Sequence, residues 1–309
     1  MSATSDTIDT AVRPLAVVTG ASSGIGRELA RQFADNGFDL VVAAEDEELA
    51  QVAIDLERAG AEVRAEQVDL ATREGVERLA AAIAATDRPV AAAALNAGVG
   101  VSGRFDEIDL ADDLRLMELN VVSTVHLAKR LVPAMVQRGE GRLLFTASVA
   151  ATMPGPYYAT YAASKSFVHS FAEAIRHELK DTGVTVTSLL PGPTDTEFFE
   201  RAGMQDTKVD SGKKDDPADV ARDGFEALMA GKDHVVAGSA MNRAQTAART
   251  ILPDPVKARV HASMTEPGVR RLVTRDLRAS TSVGNPVRAV GQTAYWWDLM
   301  TTLKRALAT

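Results

Sequence analysis

Three polar residues near the middle of the chain have types and spacing suited to moving a proton. Tyr161 and Lys165 stand four residues apart, so a helix would place both side chains on one face. A lysine ammonium stabilises a phenolate, and we expect Lys165 to lower the pKa of Tyr161 from its usual value of about 10. Ser148 would hydrogen-bond a substrate oxygen and stabilise the charge developing there. The set predicts a general acid or base that exchanges a proton with a substrate oxygen.

The same residues also have structural interpretations that need no chemistry. Tyr161 could be a core residue of an amphipathic helix, Lys165 a solvated side chain and Ser148 the end of a strand. Tyr157 and Tyr158 compete for the role of the acid, but neither is followed by a lysine four positions later. We therefore expect these two tyrosines to line a substrate pocket or to pack.

A glycine-rich stretch near the N-terminus has the order of elements that a dinucleotide site requires. A predicted strand from Leu15 leads into TGASSGIG at 19–26 and then into an amphipathic helix. Gly20 would permit a tight turn, Gly24 the approach of a pyrophosphate, and Gly26 the close packing of helix and strand. The helix N-terminus would then face the phosphate charge. The alternative is a glycine-rich turn that binds no ligand.

An acidic residue follows the second predicted strand, where dinucleotide-binding folds carry the carboxylate that binds ribose. Glu45 at this place would accept hydrogen bonds from the ribose hydroxyls and repel a 2′-phosphate. Because no Arg or Lys at the strand end stands ready to neutralise such a phosphate, the sequence favours NAD over NADP. Alternatively, Glu45 and Asp46 begin the next helix, where acidic residues suit the helix dipole.

Short apolar runs alternate with longer amphipathic segments, and this alternation predicts the fold. The strand candidates begin at Leu15, Asp39, Glu62, Val90, Arg142, Val184 and His234. The helical patterns cover 25–36, 46–59, 72–85, 108–138, 157–180 and 217–230. Such βαβ units predict an α/β fold, a Rossmann-type doubly wound parallel sheet of seven strands with helices on both faces.

Composition divides the chain into three parts. We expect a flexible tail over 1–13, a dinucleotide-binding and catalytic domain over 14–240, and a helical extension over 241–309. Within the domain, residues 194–216 do not follow the alternation of apolar runs and amphipathic segments, and they predict a mobile helical flap. The last predicted helix, 286–308, has apolar residues near one face, and we expect it to dock on its own protein or on a neighbouring subunit. A membrane surface or a separate protein is the alternative partner.

An ordered set of five motifs resembles those of the short-chain dehydrogenase/reductase family. The matching positions are TGxxxGxG at 19–26, NAG at 96–98, the serine after the fifth strand at Ser148, YxxxK at 161–165, and Pro-Gly at 191–192. The resemblance implies an NAD(P)-dependent oxidoreductase acting on an alcohol or ketone. It also implies that Asn120 joins Ser148, Tyr161 and Lys165 in catalysis by holding a water that links the lysine to solvent.

The resemblance further assigns residues to the two ligands. The implied cofactor-binding residues are Gly20, Ser22, Ser23, Gly24, Ile25, Gly26, Glu45, Asp69, Leu70, Asn96, Ala97, Gly98, Tyr161, Lys165, Pro191, Gly192, Thr194 and Thr196. The implied substrate pocket has apolar and aromatic walls, which points to a hydrophobic secondary alcohol or ketone, and its residues are Met153, Tyr157, Phe198 and Phe199. At the end of the second strand, family members that prefer NAD carry Asp where this chain has Ala44. Members that prefer NADP carry Arg one position later, where this chain has Glu45.

Composition excludes several other classes of function. Cysteine is absent from the 309 residues, which excludes disulfides, thiolate catalysis and thiolate metal sites. The net charge of −8 gives no overall field attractive to nucleic acid. We find no apolar run long enough to span a membrane and no secretory signal, so we expect a cytoplasmic protein without a transmembrane segment.

The histidines do not indicate a metal site. His169, Glu173 and His177 share one predicted helical face, but a solvated or interface face explains this spacing better, and we expect no metal. The long helices predicted from Ile108 and Tyr157 pair subunits in many members of the family. The resemblance therefore implies a homodimer or homotetramer.

Two other functions remain compatible with the same scaffold. One is a different enzyme, such as a lyase or an epimerase, although the complete set of Ser, Tyr and Lys argues against it. The other is a non-enzymatic dinucleotide-binding sensor or scaffold protein. Loss of Tyr161 or Lys165 would mark such a protein, and both residues are present.

Overall fold

The computed structural model describes residues 13–205, 207–238 and 254–266, and seven parallel strands form one sheet among them. The strands are β1 Leu15–Thr19, β2 Asp39–Ala44, β3 Val63–Gln67, β4 Val90–Leu95, β5 Gly141–Thr146, β6 Val184–Pro191 and β7 His234–Ala237. Their order in the sheet is β3-β2-β1-β4-β5-β6-β7, and every neighbouring pair is parallel. The predicted seven-stranded parallel sheet is confirmed.

Helices connect the strands. They are α1 Gly24–Asp35, α2 Leu49–Arg58, α3 Arg73–Ala84, α4 Leu110–Met117, α5 Ser123–Arg138, α6 Ala159–Leu179, α7 Phe198–Arg201, α8 Lys208–Ser211, α9 Pro217–Met229 and α10 Asp254–Thr265. A 3₁₀ turn, Val149–Thr152, follows β5. Since α2 begins at Leu49, Glu45 and Asp46 precede it rather than forming its first turn.

The sheet is apolar on both faces because alternate residues of each central strand enter different cores. In β1, Leu15 and Val17 join one cluster, whereas Ala16 and Val18 join the other. Helices α3, α5 and α6 cover the first face, and α1, α2 and α9 cover the second. This is the doubly wound arrangement, with helices on both faces of the sheet, that continuous apolar strands predict.

The strand order reverses direction between β1 and β4, and Thr19 joins the ends of these two strands. The Thr19 hydroxyl accepts hydrogen bonds from the backbone N–H groups of Asn96 at 2.9 Å and Ala97 at 3.0 Å. A crevice at such a switch point, outside the carboxyl ends of the strands, is where open α/β sheets bind their ligands.

The helix predicted over 108–138 is helical without interruption over 110–138, but a π-helical segment at Glu118–Val122 divides it into α4 and α5. The hydroxyl of Ser123 donates to the carbonyl of Leu119, and that of Thr124 donates to the carbonyl of Asn120 at 2.9 Å. Hydroxyl bonds to the carbonyl four residues earlier distort a helix, and π segments often mark functional sites. Here the segment carries Asn120 into the interior, where it is 1% exposed.

The region after the sheet is described in part. Helix α10 lies within the predicted extension 241–309, whereas the predicted helix 286–308 and the tail 1–12 lie outside the described residues. The predicted flap, 194–216, contains the short helices α7 and α8. In the described part of the chain, no helix is both long and apolar enough to cross a bilayer. The domain boundary at 240 and the cytoplasmic location stay predictions.

Candidate active site

The structure brings the four predicted catalytic residues together at the carboxyl edge of the sheet. Ser148 follows β5 and caps the 3₁₀ turn, and its hydroxyl accepts from the N–H of Ala150 at 3.1 Å. Tyr161 and Lys165 lie on consecutive turns of α6, with the lysine Nζ 5.9 Å from the centre of the tyrosine ring. The side chain of Ser148 is hydrogen-bonded to the hydroxyl of Tyr161.

Lys165 is a buried cation held by one backbone carbonyl. Its side chain donates to the carbonyl oxygen of Thr146, the last residue of β5, at 2.9 Å. Burial favours the neutral amine and lowers the lysine pKa from 10.5 to about 8. The group therefore remains mostly protonated at neutral pH.

Asn120 forms a closed set of hydrogen bonds beside this lysine. Its carboxamide accepts from the N–H of Val99 and donates to the Val99 carbonyl, both at 2.9 Å. It also lies 3.0 Å from the hydroxyl of Ser164 on α6. A Cβ added to Gly98 would meet both the Asn120 oxygen, at 3.0 Å, and the Lys165 nitrogen, at 3.1 Å. The π segment thus brings Asn120 to the lysine.

The expected net lowering of the Tyr161 pKa is wrong, because burial dominates the shift. Burial raises the pKa of Tyr161 to about 12, and the hydrogen bond from Ser148 lowers it only in part. The tyrosine residue is half-buried. The physical reason is that burial disfavours the charged form of both groups, so each is pushed toward neutrality.

The glycine-rich turn has the close backbone contacts that a pyrophosphate cradle needs. Gly24 has a φ of +51°, and a Cβ there would lie 2.9 Å from the side chain of Thr196. A Cβ on Gly26 would lie 1.9 Å from the carbonyl oxygen of Gly20, so only glycine allows this packing of α1. Ser23 precedes α1 without a side-chain hydrogen bond that caps it. The residues present therefore fit a dinucleotide with its phosphates at this helix N-terminus.

The flap contacts the glycine-rich turn and the loop after β2. Thr194 donates to the carbonyl of Gly192 at 2.9 Å in the segment that follows β6. Arg201 of α7 forms an ion pair with Asp46 at 3.3 Å, and the hydroxyl of Ser22 donates to the same carboxylate at 2.8 Å. The segment after β6 and the turn after β1 thus meet at the loop after β2.

The remaining predicted cofactor residues all belong to the turns at this edge of the sheet. They are Ile25 in the first turn of α1, Leu70 after β3, Asn96 and Ala97 after β4, and Pro191 at the end of β6. Asn96 also donates from its side chain to the carbonyl of Thr19 at 3.2 Å. Their roles in binding a cofactor stay predictions.

Sequence reasoning missed a cation at the adenosine end of the predicted cofactor site. Arg115 of α4 donates to Glu45 at 2.6 Å and to Asp69 at 2.9 Å. Burial alone would raise the pKa of Asp69, but hydrogen bonds from Arg115 and the N–H of Ala71 lower it overall. The expectation that no Arg or Lys at the end of the second strand stands ready to neutralise a 2′-phosphate overlooks Arg115, which reaches Glu45 from α4. Arg115 stands 70 positions after Glu45, and no local motif marks it.

The predicted pocket residues lie in two segments that flank Tyr161. The ring of Phe198 has its centre 5.2 Å from that of Tyr161, and Phe199 is buried beside Tyr158. Met153 is 7% exposed at the end of the 3₁₀ turn. These neighbours form a predominantly apolar surround for the tyrosine.

The face of α6 that carries His169, Glu173 and His177 contacts other parts of the protein. His169 lies 2.9 Å from the hydroxyl of Ser188, and its pKa is lowered, mainly by burial. Among the described residues, no three His, Asp or Glu side chains are grouped closely enough to hold a metal ion. The absence of a metal in the working protein stays a prediction.

A tyrosine and lysine of this kind beside a glycine cradle define a class, the Rossmann-type oxidoreductases that use nicotinamide dinucleotides. The sequence profile of short chain dehydrogenases matches residues 14–207. The chain is also 36% identical over 233 residues to 1-deoxy-11-beta-hydroxypentalenate dehydrogenase of Streptomyces exfoliatus, covering 72% of this chain and 82% of that protein. The chain belongs to the short-chain dehydrogenase/reductase family of oxidoreductases.

Solved structures of family members share the fold and hold different dinucleotides. A short-chain dehydrogenase from Sphingobium yanoikuyae in complex with NADPH has a TM-score of 0.69 and 26% identity, covering 87% of this chain and 98% of that chain. A family member from Burkholderia phymatum in complex with NAD has a TM-score of 0.68 and 26% identity, covering 90% and 98%. A nicotinamide dinucleotide is therefore the supported cofactor class.

The buried lysine gives the stability of the protein a measurable pH dependence. Between pH 8 and 10.5 the unfolded state binds more protons than the folded state, so stability rises with pH across this window. A Lys165→Met variant removes the buried charge. It should gain about 2 kcal/mol over the wild type near pH 7, after subtraction of the lost bond to Thr146, and nothing near pH 10. Urea titrations at the two pH values measure this difference.

Lys129, an exposed lysine on α5, supplies the matched control. Lys129→Met should leave the pH dependence of unfolding as it is in the wild type. An equal gain from Lys165→Met at pH 7 and pH 10 would contradict the lowered pKa of the buried lysine.

Proposed function

We propose that this protein transfers a hydride between a nicotinamide and a hydrophobic secondary alcohol or ketone, with Tyr161 as the acid and base. One observation carries the proposal, namely that Ser148, Tyr161 and Lys165 meet beside the glycine cradle. The nicotinamide, when bound, supplies or accepts the hydride. The residues of the chain bind the carbonyl oxygen and move its proton.

Each of the three side chains has a distinct role in ketone reduction. Ser148 hydrogen-bonds the substrate oxygen and stabilises its developing negative charge. The high pKa of Tyr161 keeps its proton in place until the alkoxide develops and takes it. Lys165, mostly protonated at neutral pH, then stabilises the phenolate that is left.

The surroundings of Tyr161 support an uncharged, apolar substrate. Phe198 lies against the tyrosine ring, and Tyr158 and Phe199 belong to one buried apolar cluster beside it. A charged substrate group in such surroundings would lose its hydration without gaining a partner. Ketones with an alkyl or aryl chain satisfy this requirement.

Replacement of the acid tests the proposal. Tyr161→Phe keeps the ring and removes the proton donor, so reduction of 2-octanone, cyclohexanone or acetophenone with NADH should fall by about a hundredfold or more. Absorbance of NADH at its nicotinamide band measures turnover. Binding of NADH by the variant, followed by nicotinamide fluorescence, should change little and shows that the fold is intact.

A wild-type protein that binds NADH but reduces none of the three ketones would count against the proposed substrate class. Full activity of Tyr161→Phe would count against the acid. The two failures are separate, because the first concerns the pocket and the second the proton donor.

The choice between NAD and NADP is proposed from two opposing charges. Glu45 repels a 2′-phosphate and favours NAD, whereas Arg115 offsets part of that repulsion. Both side chains are 46% exposed, so their electrostatic effects are modest. We therefore propose a preference for NAD that is small enough for NADP also to bind.

Single substitutions should move this preference in opposite directions. Glu45→Gln should tighten NADPH binding relative to NADH, and Arg115→Gln should weaken it, each by about fivefold or less. Dissociation constants at one fixed salt concentration measure the ratio. Arg58→Gln removes an exposed arginine of α2 and serves as the control for charge. The interpretation fails if the wild type binds NADPH more tightly and Arg115→Gln leaves the ratio unchanged.

A second copy of the chain is the proposed partner. Exposed large apolar side chains occur around α4 and on α6, and they are Phe105, Leu110, Leu114, Met117, Val122 and Phe167. Leu110 and Leu114 are four residues apart on α4 and are 69% and 55% exposed. An exposed apolar surface of this kind favours association, and it supports the proposal of a homodimer or homotetramer.

A charge placed on this face should prevent association. Leu114→Glu should reduce the mass measured by light scattering toward that of one chain, because a buried carboxylate without a partner opposes the interface. Ile54→Glu is the control, because the Ile54 side chain is exposed on α2, and this change should leave the mass unchanged. An unchanged mass for Leu114→Glu would place the interface elsewhere.

A further inference from the structure

Helix α10 contacts the loop that leads to the catalytic tyrosine. This loop, residues 154–158, connects the 3₁₀ turn with α6, and we call it the substrate loop. The Nδ1 atom of His261 lies 2.9 Å from the carbonyl oxygen of Pro154. The hydroxyl of Thr265 donates to the carbonyl oxygen of Pro156 at 2.9 Å. His261 and Thr265 are one helical turn apart, so the same face of α10 makes both contacts.

These two residues are buried although they follow the sheet domain. His261 is 6% exposed and Thr265 is 1% exposed. The Thr265 hydroxyl also lies 3.0 Å from the carbonyl of His261, so it bridges the loop and its own helix. Glu266 adds a third contact by accepting from the hydroxyl of Tyr157 at 3.2 Å. Contacts to three separate loop residues fasten the loop along its length.

His261 also contacts Tyr158, whose ring lies between the imidazole of His261 and the ring of Tyr161. For the Nδ1 of His261 to bond the Pro154 carbonyl, it must carry a proton, and in the neutral imidazole Nε2 is then an acceptor. The hydroxyl of Tyr158 lies against this Nε2 and donates to it. The Tyr158 ring lies 5.2 Å from the imidazole and 5.9 Å from the ring of Tyr161, centre to centre. The three rings form a continuous row that begins on α10 and ends at the acid.

The backbone of the substrate loop has a conformation that needs outside support. Tyr157 has a φ of +65°, in the left-handed region that residues other than glycine rarely adopt. Its carbonyl accepts from the N–H of Gly103 at 2.7 Å, which holds the loop from one side. Helix α10 holds it through Pro154 and Pro156. Strained backbone persists only where surrounding structure fixes it.

We propose that His261 and Thr265 are positioning residues for substrate binding, because they fix the substrate loop and the Tyr158 ring against Tyr161. Helix α10 thereby completes one wall of the substrate pocket from a segment beyond the sheet. The inference rests on the proposed function for its kinetic consequence. The position of the loop itself does not depend on that function.

Thr265→Val tests the contact with the least disturbance of shape, since it replaces a hydroxyl by a methyl group. It should raise the KM for 2-octanone about threefold to tenfold and leave kcat and NADH affinity within twofold, because one hydrogen bond to the loop is lost. Amide hydrogen exchange in 150–158 should become at least threefold faster. Thr265→Ser retains the hydroxyl and should restore both values.

His261→Ala removes the contacts to Pro154 and Tyr158 and should have the larger effect on the same two measurements. Arg259→Ala alters an exposed residue of the same helix and should change neither. If Thr265→Val and His261→Ala fold normally but leave KM and loop exchange unchanged, the proposal is overturned. Equal losses of NADH affinity and kcat would also overturn it, since they would show a general structural role.

A wild type that reduces no ketone would defeat the proposed function but not this inference. In that case the exchange of 150–158 still decides, because faster exchange in Thr265→Val that Thr265→Ser reverses supports the positioning role. Unchanged exchange overturns it.

Discussion

The buried ammonium of Lys165 is the constraint on which the rest of the site depends. A charge inside the protein must have a partner, and Lys165 donates to the carbonyl of Thr146 at the end of β5. That bond fixes the start of α6 relative to the sheet, which in turn places Tyr161 beside Ser148. The π segment, with Asn120, brings a third element to the same point. The hydrogen bond that compensates for burial of the Lys165 charge therefore also sets the relative positions of Tyr161 and Ser148.

The strands and most helices could be predicted from the sequence because their signals are local. Runs such as LAVVT at β1 and DLVVAA at β2 are apolar on both faces, and a doubly wound sheet requires this. The glycines, Ser148, Tyr161 and Lys165 were also found by spacing and by resemblance. Each of these inferences used residues that lie close together along the chain.

The parts that could not be predicted depend on contacts between distant segments. Arg115 reaches Glu45 and Asp69 only because the fold brings α4 to the ends of β2 and β3. His261 meets Tyr158 across 103 positions, and no pattern around either residue indicates it. The raised pKa of Tyr161 was missed for a related reason, since spacing gives the distance to a charge but not the loss of solvent around it.

The flap is fastened to the rest of the protein partly by the ion pair between Arg201 and Asp46. Its side chains are 48% and 27% exposed, and ion pairs in contact with water contribute about 1 kcal/mol or less. Dissolved salt screens such a pair. The contact between the flap and the loop after β2 therefore includes an ion pair that thermal motion breaks readily. Higher ionic strength weakens this contact between two segments that are 155 positions apart in the chain.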